Sequence, residues 1–452
     1  MATENGNRGF SSNIGAILAA AGGAIGLGNI WRFPYIAGKY GGAAFILVYI
    51  AACIFISVPI FIAEATIGRR SHSNCFGAMK KLAPSPRWKW LGILTVITPI
   101  VILSYYSVVG GWSVNYLMVS LVSGFSAYGD SSFASFIGSA SRPIVFHTIF
   151  LGITALIVMK GIKSGIEKFN KVSLPLLFVM MLLIMVYSLM LPGAKEGVKY
   201  LLNPDFHSIT PSAIAAALGQ SFFSLSLGAG TVLTYASYMK KQENILATGV
   251  GTAMGDLLFA LIAGFAILPA VFSAGISPGE GPGLIFETLP YIFSRMGMEV
   301  PFLSRLISIV FFFSIVMAAL TSSISQFEVG VSYLVDEKGC SRRQAVYIVF
   351  LFAWFLGAIC SLSFGTLSEI KLAGRTIFEF FDQLTSNFLM PLGSILLVIF
   401  VGWVMKKADV RDEFTGVGTQ TLSGRLFGVF YFLMRYLAPI AILVIFITNL
   451  VM

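Results

Sequence analysis

Long apolar runs alternate with short polar connections along almost the whole chain. Eleven runs reach the roughly 20 residues that an α-helix needs to cross a bilayer. They cover residues 11–38, 43–67, 90–122, 143–159, 168–191, 211–239, 245–275, 301–335, 343–363, 375–404 and 424–450. In lipid each backbone polar group must be satisfied internally, so the runs predict helices and the chain predicts an all-α membrane protein. The first run follows a polar N-terminus, as a signal peptide would. It is too long for one and ten further runs follow, so no cleavage is expected. Residues 273–300 hold SPGEGPG and no clean apolar run, which predicts a long outer loop with short helices at most.

Two runs are interrupted. Residues 20–34 of the first read AAGGAIGLGNIWRFP, with Gly22, Gly23, Gly26 and Gly28 close together and Asn29 next. Glycine at this density weakens a helix and lets carbonyls leave the i→i−4 ladder. A freed carbonyl in lipid is costly unless something else satisfies it, and a bound cation is one such partner. In the sixth run, residues 219–231 read GQSFFSLSLGAGT. Gly228 and Gly230 flank Ala229, and Ser221, Ser224 and Ser226 alternate with apolar residues, so this piece reads as extended. Matching interruptions in two five-span halves point to an inverted-repeat transporter with its site near the bilayer midplane. The halves are 1–191 (spans one to five) and 211–404 (spans six to ten), with span eleven at 424–450. Placement alone carries the repeat, since the two halves share no clear residue-level pattern.

Composition agrees with this picture. The chain of 452 residues is 57% hydrophobic and 11% charged, whereas a soluble domain is about 25% charged. Its net charge of +10 would suit a nucleic-acid partner, but the distribution is a topology signal instead. With the N-terminus inside, the inner segments hold twenty Lys and Arg and the outer segments eight. That asymmetry predicts a cytoplasmic N-terminus, and an odd number of spans puts the C-terminus outside. The expected location is the plasma membrane (the inner membrane of a bacterium), with lipid as partner and no nucleic acid.

Candidate chemistry lies within the spans. Span eight carries Ala318-Ala319-Leu320-Thr321-Ser322-Ser323. Hydroxyls in membrane helices usually bond back to the backbone or join helices. Two adjacent hydroxyls among small residues, in a chain with two broken helices, favour a sodium site, because a hard cation takes oxygen ligands. Asp256 lies inside span seven with no evident Arg or Lys partner, and a carboxylate there is a functional candidate by default. Glu64 is a structural candidate, bonding the unwound backbone of span one. Arg435 in span eleven either snorkels or pairs. His72, His147 and His207 are isolated, and Cys53, Cys75, Cys340 and Cys360 lack metal or disulfide spacing, so free thiols are expected. There is no GxxxxGK[ST] motif for an ATPase and no nucleophile–base pair for an enzyme.

At these residues the chain resembles the neurotransmitter:sodium symporter family. GLGNIWRFP (26–34), SFFSLSLGAG (221–230) and ALTSS (319–323) match three separated family motifs in order, and the resemblance covers essentially the whole chain. Eleven spans resemble a bacterial subgroup that carries tyrosine and other hydrophobic amino acids. The resemblance implies two sodium sites. The first would be Ala24, Asn29, Ser224 and Asp256, completed by the substrate carboxylate. The second would be Gly22, Ile25, Ala318, Thr321 and Ser322. It implies a substrate site of Ala24, Gly26, Gly28, Ile102, Tyr106, Phe223, Ser224, Ser226, Ala229, Ser322 and Gln326. It also implies an outer gate of Arg32 and Asp382 capped by Tyr106 and Phe223, and an inner gate of Arg8, Tyr238 and Asp336.

Departures from the family pattern refine the expectation. Members that take amines carry Asp where this chain has Gly26, so the substrate should bring its own carboxylate. Asp256 stands in place of the usual Asn, and its fixed charge would do what chloride does in animal members; Ala260 offers no chloride ligand. Ala229 is smaller than the usual aromatic and Gln326 is polar, which suggests a roomier pocket with one amide for a polar tip, as for tyrosine or tryptophan. Arg8 stands two residues before Phe10, where the family has three before a Trp. The expected activity is sodium-coupled symport of hydrophobic or aromatic L-amino acids. Spans 1, 2, 6 and 7 would rock against 3, 4, 8 and 9, driven by the sodium gradient and membrane potential. The alternatives are a sensor on a transporter scaffold and a proton-coupled carrier with Asp256 as its proton site.

Overall fold

Within the described residues of the computed structural model (9–10, 12–125, 132–276, 284–416 and 421–451) the apolar runs are helices and no strand forms. The order is α1 (Asn13–Ala24), α2 (Gly28–Lys39), α3 (Ala43–Ser71), α4 (Cys75–Leu82), α5 (Pro86–Val122), α6 (Arg142–Met159), α7 (Ile162–Met190), α8 (Pro211–Ser224), α9 (Thr231–Ala236), α10 (Ile245–Ser273), α11 (Leu289–Glu299), α12 (Pro301–Lys338), α13 (Arg342–Leu362), α14 (Ile377–Val404), α15 (Lys407–Thr415) and α16 (Gly424–Thr448). Side chains close several of the helix starts. Ser12 accepts from the Gly15 N–H at 3.1 Å, Asn244 caps α10, and Ser341 forms a capping box with Gln344.

Among the described residues nine helices are long and apolar enough to cross a membrane as single rods. The pair α1–α2, bent by 52°, makes a tenth. The sixth expected span is divided into α8, of 14 residues, and α9, of 6, each too short to cross alone. Eleven crossings therefore require α8 and α9 to act as one interrupted span.

The second interruption differs from its expected shape. α8 stays helical through Ser224, and residues 225–230 form consecutive turns rather than an extended piece. Gly228 and Gly230 have φ of +77° and +73°, which glycine adopts without a Cβ clash. Ser226 has φ +52°, a left-handed conformation rare outside glycine. The alternating serines thus mark a helix end followed by turns, not a strand.

α5, α6, α12 and α13 pack on one another, and α1, α3, α9 and α10 form a second group. Large apolar side chains such as Leu183, Phe302 and Phe355 remain on the outside, where lipid tails are their solvent. A clamp joins the C-terminal end of α3 to α15. Arg69, 1% exposed, bonds Glu413 at 2.7 Å and also donates to the carbonyls of Glu243 and Glu413. Beside it Arg70 meets Asp409 at 2.6 Å.

Of the expected outer loop, residues 277–283 (SPGEGPG) lie outside the described residues; the rest is helical, a turn at Leu284–Thr288 leading into α11. All four cysteines are free. Cys75 is buried in the first turn of α4, and its thiol donates to the Gly230 carbonyl at 3.3 Å. Arg435 lies over the Trp403, Tyr431 and Tyr436 rings at 5.2, 5.8 and 5.6 Å.

Candidate functional site

The two interruptions lie against each other at the centre of the molecule. α1 ends at Ala24, and Ile25 leaves the helix with ψ of 108°. The N–H groups of Gly26 and Leu27, which a continuous helix would return to Gly22 and Gly23, go elsewhere. Gly26 donates to Asn29 Oδ1 at 3.0 Å and Leu27 to the Tyr106 hydroxyl at 3.1 Å. Across the gap Ser226 Oγ donates to the Gly23 carbonyl at 3.1 Å, and Gln220 donates to the Gly28 carbonyl at 3.3 Å. The broken backbone is satisfied by side chains from other segments, as lipid demands.

Glu64 of α3 serves the second interruption, not the first as expected. Its Oε1 accepts from the Gly228 N–H at 2.6 Å. The turn at 225–230 is the part with N–H groups left over, which is why the carboxylate is found there.

Asn29, Ser224 and Asp256, expected at the first sodium site, converge. Asn29 Nδ2 donates to Asp256 Oδ1 at 2.7 Å and to Ser224 Oγ at 3.1 Å. Ser224 Oγ lies 2.8 and 2.7 Å from the two carboxylate oxygens, and Tyr49 OH reaches the second at 3.4 Å. Asp256 and Asn29 are completely buried, and no Lys or Arg pairs with this carboxylate among the described residues. A buried carboxylate met only by neutral donors has the charge and the oxygens to hold a monovalent cation. For the Asn29 oxygen to join such a shell, the carboxamide must turn end for end, because Oδ1 now accepts from Gly26.

The expected second sodium site is built across α1 and α12. Thr321 Oγ1 lies 3.0 Å from the Ile25 carbonyl and 2.8 Å from the Ala318 carbonyl. Ser322, the next residue, faces Gly26. A methyl on Gly26 would lie 2.1 Å from its Oγ and 3.0 Å from the Tyr106 hydroxyl, so glycine is the residue that fits. The Gly22 carbonyl lacks its usual helical donor, since the Gly26 N–H bonds Asn29.

Beside these two clusters lies a cavity of about 20 Å³, lined by Ala24, Gly26, Gly28, Ile102, Tyr106, Phe223, Ser224, Ser226, Ser322, Gln326 and Met390. That space holds little more than a water, so an amino acid enters only as the walls move apart. Ala229 is not in this lining. It is buried in the surrounding apolar cluster, and the side chain that the residue pattern did not suggest is Met390 of α14. The Gln326 oxygen is buried without a hydrogen-bond partner.

On the expected outer side Arg32 sits 4.5 Å above the ring of Phe223, which lines the cavity. It makes no direct ion pair with Asp382, and its Nη1 is buried without a partner. Asp382 acts on it electrostatically from further away and holds Ser386 at 3.3 Å. Of the expected inner gate, Arg8 lies outside the described residues. Tyr238 and Asp336 border a vestibule of about 270 Å³. Tyr238 donates to Glu328 at 2.9 Å, and Arg342 pairs with that fully buried carboxylate at 2.6 Å. Glu328 and Arg342 were not singled out from the sequence. A Glu in an apolar run of α12, 14 residues before an Arg, was the signal available.

Known proteins place this architecture. The profile of the Sodium:neurotransmitter symporter family matches residues 8–129 and 130–452. An uncharacterized sodium-dependent transporter of Bacillus subtilis is 37% identical over 441 residues, covering 97% of this chain and 96% of its own. The sodium-dependent serotonin transporter of Drosophila melanogaster is 28% identical, covering 96% of this chain and 75% of its own. The crystal structure of MhsT in complex with L-phenylalanine superposes with a TM-score of 0.89 at 39% identity, covering 98% of this chain and 99% of MhsT. These relatives are multi-span membrane transporters and not enzymes. The chain belongs to the sodium:neurotransmitter symporter family, as a sodium-dependent symporter.

Proposed function

We propose that the protein carries hydrophobic or aromatic L-amino acids into the cell with two sodium ions, by alternating access and without chloride. The observation that carries this reading is the pairing of Gly26 with Asp256. No carboxylate side chain lines the cavity, so the acid group must come with the substrate. One sodium is then shared by that group, Asp256, Ser224, Asn29 and the Ala24 carbonyl. The other is held by Thr321, Ser322 and the carbonyls of Gly22, Ile25 and Ala318. The phenylalanine bound by MhsT supports an apolar side chain, and the unpartnered Gln326 oxygen supports one with a donor at its tip.

In this reading residues 1–191 and 211–404 are the inverted halves, and 424–450 is an added span. The N-terminus is cytoplasmic and the C-terminus outside, in the plasma membrane. Arg32 over Phe223 closes the outer side, and Tyr238, Asp336 and Arg8 close the inner side. Asp256 makes chloride unnecessary because its charge already stands beside the first ion.

The test is uptake of L-phenylalanine, L-tyrosine and L-tryptophan into proteoliposomes under an inward sodium gradient, with chloride or gluconate. The expected result is accumulation that collapses with the gradient and is indifferent to chloride. Binding without accumulation would make the protein a sensor. Accumulation driven by a proton gradient in potassium would give Asp256 a proton to carry instead.

A further inference from the structure

Asn170, near the start of α7, is completely buried, yet both its Oδ1 and its Nδ2 lack a hydrogen-bond partner. A buried carboxamide without partners is costly, and such a group in a native fold calls for an explanation. Its position suggests one. The amide lies flat against Gly22: a methyl there would lie 2.6 Å from Nδ2 and 2.8 Å from Oδ1. Gly22 is also the residue whose carbonyl loses its helical donor at the first interruption. One turn along α7, on the same face, Ser173 Oγ is likewise buried and unpartnered.

The first turn of α7 borders the vestibule. Ile162 and Lys163, about two turns before Asn170, line the inner vestibule together with Glu328 and Asp336 of α12. α1, α7 and α12 pack against one another. Asn170 therefore touches the segment expected to hold the second sodium and lies about two turns of α7 from residues that line the vestibule. A carboxamide oxygen is a suitable ligand for a hard cation.

We propose that Asn170 is a transit ligand for sodium. Its Oδ1 receives the ion as it leaves the Gly22, Ile25 and Ala318 carbonyls and the Thr321 hydroxyl on its way to the vestibule. In the occluded state the amide is a ligand in waiting, which accounts for its missing partners. The proposal rests on the reading of Thr321 and its neighbours as a sodium site.

The experiment compares wild type, Asn170→Ala, Asn170→Asp and Thr321→Ala in proteoliposomes and in detergent. Sodium affinity is read from sodium-dependent L-phenylalanine binding, and ion release from stopped-flow dilution out of sodium, followed by intrinsic fluorescence. Asn170→Ala should keep its sodium affinity within about twofold and slow release at least about tenfold. Asn170→Asp, which keeps an oxygen at the place, should restore release. Release from Asn170→Ala at the wild-type rate would overturn the proposal. So would a loss of affinity as large as that of Thr321→Ala, which would make Asn170 a permanent ligand, or an Asn170→Asp protein as slow as Asn170→Ala. If Thr321→Ala leaves sodium affinity intact, the second site itself is misread, whatever Asn170 does.

Discussion

Replacing Asp256 by asparagine removes one charge and almost no volume, which isolates the electrostatic role of this side chain. The carboxylate is fully buried and held by Asn29 at 2.7 Å and Ser224 at 2.8 and 2.7 Å, with no cationic partner among the described residues. A sodium ion among these ligands would be its only compensating charge. At an effective dielectric of about 20, two unit charges about 4 Å apart attract by roughly 4 kcal/mol. The amide that replaces the carboxylate keeps an oxygen ligand and part of that attraction. Taking half as lost gives about 2 kcal/mol, or a sodium affinity weakened roughly thirtyfold. The assay is a sodium titration of L-phenylalanine binding to purified protein at fixed pH and ionic strength, in chloride and in gluconate. Asp256→Asn should show the weaker affinity in both salts, because Ala260 offers chloride no ligand; wild type should be the same in both. A variant within about twofold of wild type in both salts would refute the role given to this charge.

Three further outcomes follow from the geometry. Gly26→Ala places a methyl 2.1 Å from Ser322 Oγ, and should abolish L-phenylalanine uptake while the protein still folds, as judged by size-exclusion chromatography. Gln326→Leu removes the buried unpartnered oxygen. It should lower the affinity for L-tyrosine relative to L-phenylalanine by about tenfold, in competition binding. Arg69→Ala leaves Glu413 Oε2 and two carbonyls buried without their donor. It should cost about 3–5 kcal/mol, seen as a large drop in thermal unfolding midpoint even with sodium and substrate bound.

Much of this was legible in the chain. The glycines at 22–28 and 228–230 announced both interruptions, because nothing else explains such residues in the middle of apolar runs. The partners that complete the interruptions were less legible. Glu64 bonds Gly228, 164 residues away, and no local pattern says which of two unwound segments a buried carboxylate meets. The same holds for Glu328, which pairs with Arg342 across a helix end, and for Met390, an ordinary apolar residue in an apolar run that lines the cavity. Spans surrounded by lipid are apolar on every face, so periodicity does not separate a lipid-facing Met from one that lines a site. Ala229, which the resemblance places at the substrate, is buried in the apolar cluster outside the cavity lining, within residues 225–230, whose turns re-aim side chains that the serine alternation predicts as extended.

The central claim is that cations complete the two interrupted spans and so make the amino-acid site. Equilibrium binding of radiolabelled L-phenylalanine to the purified protein, in sodium and in potassium at equal ionic strength and pH, tests it most directly. The account predicts saturable binding in sodium, rising more steeply than first order with sodium concentration, and none in potassium. Equal affinity in the two salts would contradict it.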